Sequence, residues 1–276
     1  MTEIRRHSVT SPDGTPIAYY SLGNGDGLVL VGGSLRSADD YLPLANALGG
    51  SFEVHVVDRR GRGASGPLGQ DYAIEKECDD LLAVCAATGA TRVFGHSYGG
   101  LVALETAKHA PTLTNLALYE PGLTLGPSRP ADWGPRYEQM LAEGDTRGAF
   151  ALFVKHAGHA PGFLTRLPLP YVRALLRLAI RKPTWQRMEP LLSANLAEHR
   201  QLAALEGTLA SYAGIATDVL LMAGSASPDF AVEPVRELER ILSHSELVIL
   251  DGLAHNAPDE RAPARVAECV LDRSRR

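Results

Sequence analysis

The stretch Phe94-Gly95-His96-Ser97-Tyr98-Gly99-Gly100 limits what this chain can become more than any other. Thr91-Arg92-Val93-Phe94 before it has the β-branched and aromatic character of a strand, and Leu101 to Lys108 after it has helical character. A strand must therefore turn into a helix within a few small residues. Gly95 and Gly99 bracket Ser97 in a G-x-S-x-G pattern. Such a turn holds the serine in a strained backbone conformation that lifts its hydroxyl clear of the sheet. It also puts the next N–H groups at a helix N-terminus, where an oxyanion is stabilised. No Lys-Ser/Thr pair follows the glycines, so a phosphate loop is excluded. Ser97 is the candidate nucleophile.

Around this turn, apolar strands alternate with helices. Two β-like runs flank Ser11-Pro12-Asp13-Gly14 over residues 5–22 and read as a hairpin. Gly27 to Gly33 is a continuous apolar run ending in glycines, as a buried parallel strand does. A helix is expected from Ala38 to Leu48, a strand from Phe52 to Asp58, and an amphipathic helix over 71–88 with Ile74, Cys78, Leu81, Leu82 and Cys85 on one face. Leu113 to Tyr119 is the strand after the turn's helix. From Thr124 to Ala213 the rhythm breaks into helical segments, expected at Trp133–Glu143, Thr146–His156, Pro170–Arg181 and Thr184–Leu205. Strands resume at Asp218–Gly224 and Glu246–Leu250, with helices near Val232–Leu242 and Pro258–Leu271. The pattern predicts an α/β core of residues 1–123 and 214–276, with a parallel sheet covered on both faces and a helical insertion over 124–213.

Composition excludes several classes. The 276 residues are 45% hydrophobic and 21% charged, which fits one large globular domain with an insertion. A formal net charge of −5 gives no support to a nucleic-acid partner. Met1 to Asp13 lacks the apolar core of a signal peptide, and no apolar run approaches the ~18 residues of a membrane span. The expectation is a cytoplasmic protein with a small-molecule substrate and neither a membrane nor a nucleic-acid partner; oligomeric state is not legible. Cys78, Cys85 and Cys269 are odd in number, and the first two fall about two helical turns apart, too far for a disulfide.

A serine nucleophile needs a base. Of the nine histidines, His255 stands out. It lies in Asp251-Gly252-Leu253-Ala254-His255-Asn256, just after the last strand, on the rim where an open parallel sheet binds ligands. His96 precedes Ser97 and should point away from it. His156 and His159 have no Cys or carboxylate beside them to complete a metal site. For the oxyanion, one donor is the N–H of Tyr98. The other is expected from the loop Gly32-Gly33-Ser34-Leu35, at the N–H of Ser34.

The Gly-Gly-Ser loop, Asp58-Arg59-Arg60-Gly61-Arg62-Gly63-Ala64-Ser65, Gly-His-Ser-Tyr-Gly-Gly, the helical insertion and the late His255 together resemble the α/β-hydrolase superfamily, over nearly the whole chain. The resemblance implies an eight-stranded, mostly parallel sheet, a helical cap and a Ser–acid–His triad in that chain order. It makes the Asp58 loop a structural turn without a catalytic duty. Gly32 stands where many members carry a histidine. The family usually places an Asp three residues after the glycine ending the penultimate strand; here that residue is Ser227, in Gly224-Ser225-Ala226-Ser227-Pro228-Asp229. Two carboxylates remain. Glu120 ends the strand after the turn's helix, a position some members use, and is favoured; Asp229 is the alternative.

The expected activity is a serine hydrolase without cofactor or metal, cleaving an ester, thioester or lactone of a small, largely apolar molecule. Ser97, His255 and Glu120 would form the triad, with Ser34 and Tyr98 at the oxyanion. The same scaffold also supports cyclisation, C–C cleavage or cofactor-free oxygenation with His255 as base, and ligand binding with little turnover. Trp133, Tyr137, Phe150, Phe153, Phe163, Tyr171 and Trp185 enrich the insertion in aromatics, and Arg166 to Arg187 make its second half basic.

Overall fold

A computed structural model describes residues 3–125, 130–156 and 162–275. Among these residues there are eight strands: β1 Arg5–Thr10, β2 Pro16–Gly23, β3 Asp26–Val31, β4 Phe52–Val57, β5 Arg92–His96, β6 Asn115–Tyr119, β7 Asp218–Gly224 and β8 Ser245–Leu250. The helices are α1 Leu42–Leu48, α2 Ile74–Thr88, α3 Tyr98–Ala107, α4 Pro130–Ala142, α5 Thr146–His156, α6 Gly162–Arg166, α7 Leu169–Ala179, α8 Lys182–Met188, α9 Leu192–Ala204, α10 Asp229–Ile241 and α11 Pro263–Ser274.

The strands form one sheet in the order β1-β2-β4-β3-β5-β6-β7-β8. β1 and β2 make the expected hairpin, and β2 also pairs antiparallel with β4; every other pairing is parallel. The chain leaves β3 to one side to build β4, then crosses to the other side for β5. The carboxyl ends of β3 and β5 therefore flank a switch point, the crevice where open parallel sheets bind ligands. The Gly32-Gly33 loop and Ser97 emerge there side by side.

Burial follows from two-sided coverage. In β3, Leu28 to Val31 are all buried, as a central parallel strand requires. Leu44 and Leu48 of α1 and Val266 and Val270 of α11 pack with Leu28, Leu30, Val54, Val56, Phe94 and Met222 in one cluster. α2, α3 and α10 pack against sheet strands and bury Leu81, Val84, Leu101, Leu104, Val235 and Leu238.

Proline divides one segment expected as a single helix and delays the start of another. The segment expected over Thr184–Leu205 divides into α8, a 3-10 turn at Glu189–Leu191 and α9, because Pro190 has no N–H for a helical ladder. The terminal helix likewise begins only at Pro263. Ala262 before it lies outside the α region (φ −150°, ψ 49°), which a following proline disfavours, and a separate π-type turn covers Ala257–Arg261.

The chain forms two compact units, 1–125 with 207–276, and 126–206. The second is helical and has an aromatic interior: Trp133 meets Tyr137, Phe153 and His199 edge-on, and Phe150 packs against Trp185. Tyr171 is instead exposed on α7. The side chain of Phe163 lies outside the described set. Among the described residues, no helix is long and apolar enough to cross a membrane.

Candidate active site

Ser97 is the N-cap of α3, with φ 53° and ψ −123°, a conformation costing about 1–3 kcal/mol that must be held from outside. It is held at both ends. Its N–H donates to Tyr119 O (3.1 Å), and its carbonyl accepts from Gly100 N (2.9 Å) and Gly122 N (2.7 Å). The flanking glycines are needed for close approach: a Cβ on Gly99 would overlap the carbonyls of Val31 and Gly32, and one on Gly95 would overlap Gly99 and Gly100. Helix α3 is thus driven against the end of β3.

Glu120 and His255 meet directly. Glu120 follows β6, has φ 41°, and is almost wholly buried. His255 follows β8, and its Nδ1 lies 2.7 Å from Glu120 Oε2. The other carboxylate oxygen accepts from Gly224 N–H (2.8 Å) and from the Ser227 hydroxyl (2.5 Å). Burial alone would raise the Glu120 carboxyl. The bond and charge of His255, the Gly224 amide and the Ser227 hydroxyl outweigh it and hold the group below its ordinary value. Asp229, the other carboxylate weighed from sequence, is exposed in the first turn of α10.

His96 and Tyr41 hold the backbone on either side. The His96 ring packs against the His255 ring at 4.9 Å, and its Nε2 lies 2.9 Å from the carbonyl of His255. A carbonyl only accepts, so Nε2 carries the proton and Nδ1 accepts from Tyr41 OH (2.7 Å). Burial, then the charge of His255, push His96 well below its ordinary pKa, consistent with this neutral tautomer. Tyr41 OH in turn accepts from Gly33 N–H (2.8 Å), and Tyr119 OH donates to Ala254 O (3.0 Å). The His255 loop and the Gly33 loop are tied to one buried wire.

The Gly32-Gly33 loop passes beside the serine: a methyl group on Gly33 would stand 3.0 Å from Ser97 Cβ and 3.5 Å from Oγ. With the Gly33 N–H taken by Tyr41, Ser34 N–H is the loop's next donor, and Leu35 (φ 57°) turns the chain away. Tyr98 N–H opens α3, where first-turn amides have no carbonyl one turn back. Arg36 pairs with Asp259 and Glu260, fastening this loop to the turn after His255.

Sequence reasoning missed three contributors. Ser227 looked like a lost acid and instead donates to the carboxylate. His96 was set aside as pointing away from Ser97, yet it anchors His255. Arg59, in the loop read as purely structural, is buried beside the Gly32 and Gly33 carbonyls, each 3.3 Å from its Nη1. A signal for the last existed. Glu77 falls on the apolar face of α2 between Ile74 and Leu81, and a carboxylate there needs a buried cation. His156 ends α5; His159 lies outside the described residues. Among those described, no three His, Cys, Asp or Glu side chains are grouped as a metal site.

Comparison with known proteins agrees with this architecture. Residues 28–269 match the model of the alpha/beta hydrolase family. A crystal structure of an alpha/beta hydrolase from Sphaerobacter thermophilus is 34% identical, covers 96% of this chain and 100% of its own, and superposes with a TM-score of 0.80. A thermophilic esterase from Thermogutta terrifontis shares the fold at 21% identity and a TM-score of 0.75, with 98% of each chain covered. The N-formylmaleamate deformylase of Pseudomonas putida is 38% identical over 114 residues, which is 40% of this chain and 42% of that protein. That match spans less than half of the relative's length.

Proposed function

The chain belongs to the alpha/beta hydrolase family, and we propose that it is a cofactor-independent serine hydrolase acting on an ester, thioester or lactone of a small, largely apolar molecule. One observation carries the reading: a buried, ionised Glu120 is bonded to Nδ1 of His255, on the same sheet rim as a strained Ser97.

With Nδ1–H committed to Glu120, the Nε2 of His255 is the basic nitrogen. Ser97 Oγ attacks the substrate carbonyl and its proton passes to Nε2. The carbonyl π pair moves onto oxygen, and the N–H groups of Tyr98 and Ser34 hold the resulting oxyanion. Glu120 steadies the imidazolium. The intermediate collapses, the C–O or C–S bond breaks, and His255 returns the proton to the leaving group. A water deprotonated by His255 then releases the acyl group from Ser97 by the same steps.

A C–N acyl bond is the second reading, favoured by the similarity to a protein named as a deformylase. The test is a panel of p-nitrophenyl esters of increasing chain length beside an N-formyl amide, run together with a fluorophosphonate label. Hydrolysis and labelling of the wild type, both abolished in Ser97→Ala, are expected. Tight binding of a ligand without labelling or turnover would sink the hydrolase reading in favour of a binding protein.

A further inference from the structure

We propose that Arg59 is a positioning residue for the oxyanion hole, acting through the backbone of Gly32 and Gly33 and through the ring of Tyr98. The inference rests on the serine-hydrolase reading above.

Arg59 and Glu77 are each 2% exposed and form a two-pronged pair: Arg59 Nε and Nη2 lie 2.6 Å from the two Glu77 oxygens. This fixes the plane of the guanidinium, which leaves Nη1 aimed at the loop after β3. There it donates to both Gly32 O and Gly33 O (3.3 Å each). In a planar trans peptide the carbonyl of one residue and the N–H of the next point in opposite directions, and no peptide bond in the described chain is cis. Holding the Gly33 carbonyl on Arg59 therefore turns the Ser34 N–H to the opposite side. Holding the Gly32 carbonyl turns Gly33 N–H away from Arg59, and that amide is the one Tyr41 OH receives. Glycine at both positions leaves the backbone free to rotate by itself, so the orientation has to come from outside the loop. A rotated 33–34 peptide would bring a carbonyl dipole of the wrong sign to an oxyanion.

The second donor is tied to the same group. The Arg59 guanidinium lies 4.6 Å above the Tyr98 ring. The Tyr72 hydroxyl lies 2.5 Å from Glu77 Oε1 and 2.8 Å from the Tyr98 hydroxyl, closing the circuit. One buried cation thus orients the Ser34 N–H and packs on the ring of the residue that carries the second proposed donor, whose own N–H is fixed by the bonds to the Ser97 carbonyl. A point charge at this site would not suffice, since only a planar fork can bind a carboxylate along one edge and carbonyls along another.

The test compares wild type with Arg59→Lys and with Arg59→Met/Glu77→Gln, the double change avoiding a lone buried carboxylate. Each is assayed for kcat and KM on the best p-nitrophenyl ester, for inhibition by phenylboronic acid, and for melting temperature. Phenylboronic acid reads the hole: Ser97 oxygen gives its lone pair to boron, its proton goes to His255, and a boron-bound hydroxyl takes the oxyanion's place. In the double variant kcat should fall by about 10²-fold with KM little changed, and phenylboronate affinity should fall in parallel. Arg59→Lys, which retains a cation opposite Glu77, should fold and lie between. Unchanged kcat, or a loss of kcat with phenylboronate affinity intact, overturns the assignment; if the double variant does not fold, Arg59→Lys is judged by the same criterion. A wild type that neither hydrolyses esters nor binds phenylboronate removes the hydrolase reading and this inference with it. A wild type that does both, matched by the variants, removes only the role of Arg59.

Discussion

The Ser227 hydroxyl donates to Glu120 Oε1 across 2.5 Å, from the sequence position at which the family usually carries the carboxylate itself. In the proposed triad the acid stands one strand over, at the end of β6 instead of the end of β7. The end of β7 has become its cradle, with Gly224 N–H as the second donor. Because the folded-state pKa of Glu120 lies below its ordinary value of 4.5, this cluster stabilises the protein fully above that value. The contribution is lost as pH falls through the lower folded-state pKa.

Glu120→Gln keeps the shape and removes the charge. The rate of ester turnover should fall by about 10²- to 10⁴-fold, while Asp229→Asn should leave it unaltered. Steady-state kinetics on purified variants decide the point; the reverse ranking would move the acid to the α10 loop.

Ser227→Asp puts a second carboxylate against Glu120, and like charges this close cannot both ionise. We expect lower activity and a lower melting temperature at neutral pH. In Glu120→Gln the same Ser227→Asp change supplies a charge from the β7 side, and the double variant should turn over faster than Glu120→Gln alone. Equal rates for those two would show that His255 can be served only from β6.

Tyr41→Phe strands two buried groups, the Gly33 N–H and the His96 Nδ1. Each orphan costs about 1–3 kcal/mol, so chemical denaturation should show a loss of roughly 2 kcal/mol or more. Both loops the hydroxyl connects carry proposed active-site groups, and kcat should drop between about 10- and 100-fold. Loss of stability with an unchanged kcat would confine Tyr41 to packing.

His199 lies in the aromatic interior of the helical unit, where burial pushes its pKa from 6.5 down to about 4. The unfolded chain therefore takes up a proton first as pH falls. Stability should decline between about pH 6.5 and 4, by about 1.4 kcal/mol per pH unit where the proton difference is complete. Melting curves from pH 7 to 4.5 should slope less in His199→Gln than in wild type. Identical slopes would assign the acid sensitivity elsewhere.

The fold was legible because its signals are local. A continuous apolar run gives β3, small residues around Ser97 force a sharp turn, and alternating strands and helices leave few topologies. The histidine loop was legible because strand ends in a parallel sheet share a rim. What stayed hidden depends on which side chains meet across the sheet. Arg59 and Glu77 come from different elements and acquire meaning only when α2 lies along β3. Ser227 was misread for the same reason, since its value is set by Glu120, more than a hundred residues earlier. The split of α8 from α9 was available in Pro190, which has no N–H to continue a helical ladder.

Ser34, Arg59, Glu77, Ser97 and Glu120 all precede residue 126, whereas His255 and Ser227 follow residue 206. During synthesis the proposed nucleophile, its proposed acid and the loop that would hold the oxyanion leave the ribosome first, with β6 still an unpaired sheet edge. Neither Ser227 nor His255 has yet arrived to bond Glu120. On the proposed mechanism the chain is then inert, because its proposed base, His255, reaches the rim only once β7 and β8 have docked. If that mechanism holds, a translation product cut short before that loop has no acylating power, and the order in which the segments emerge is itself a guard against premature chemistry.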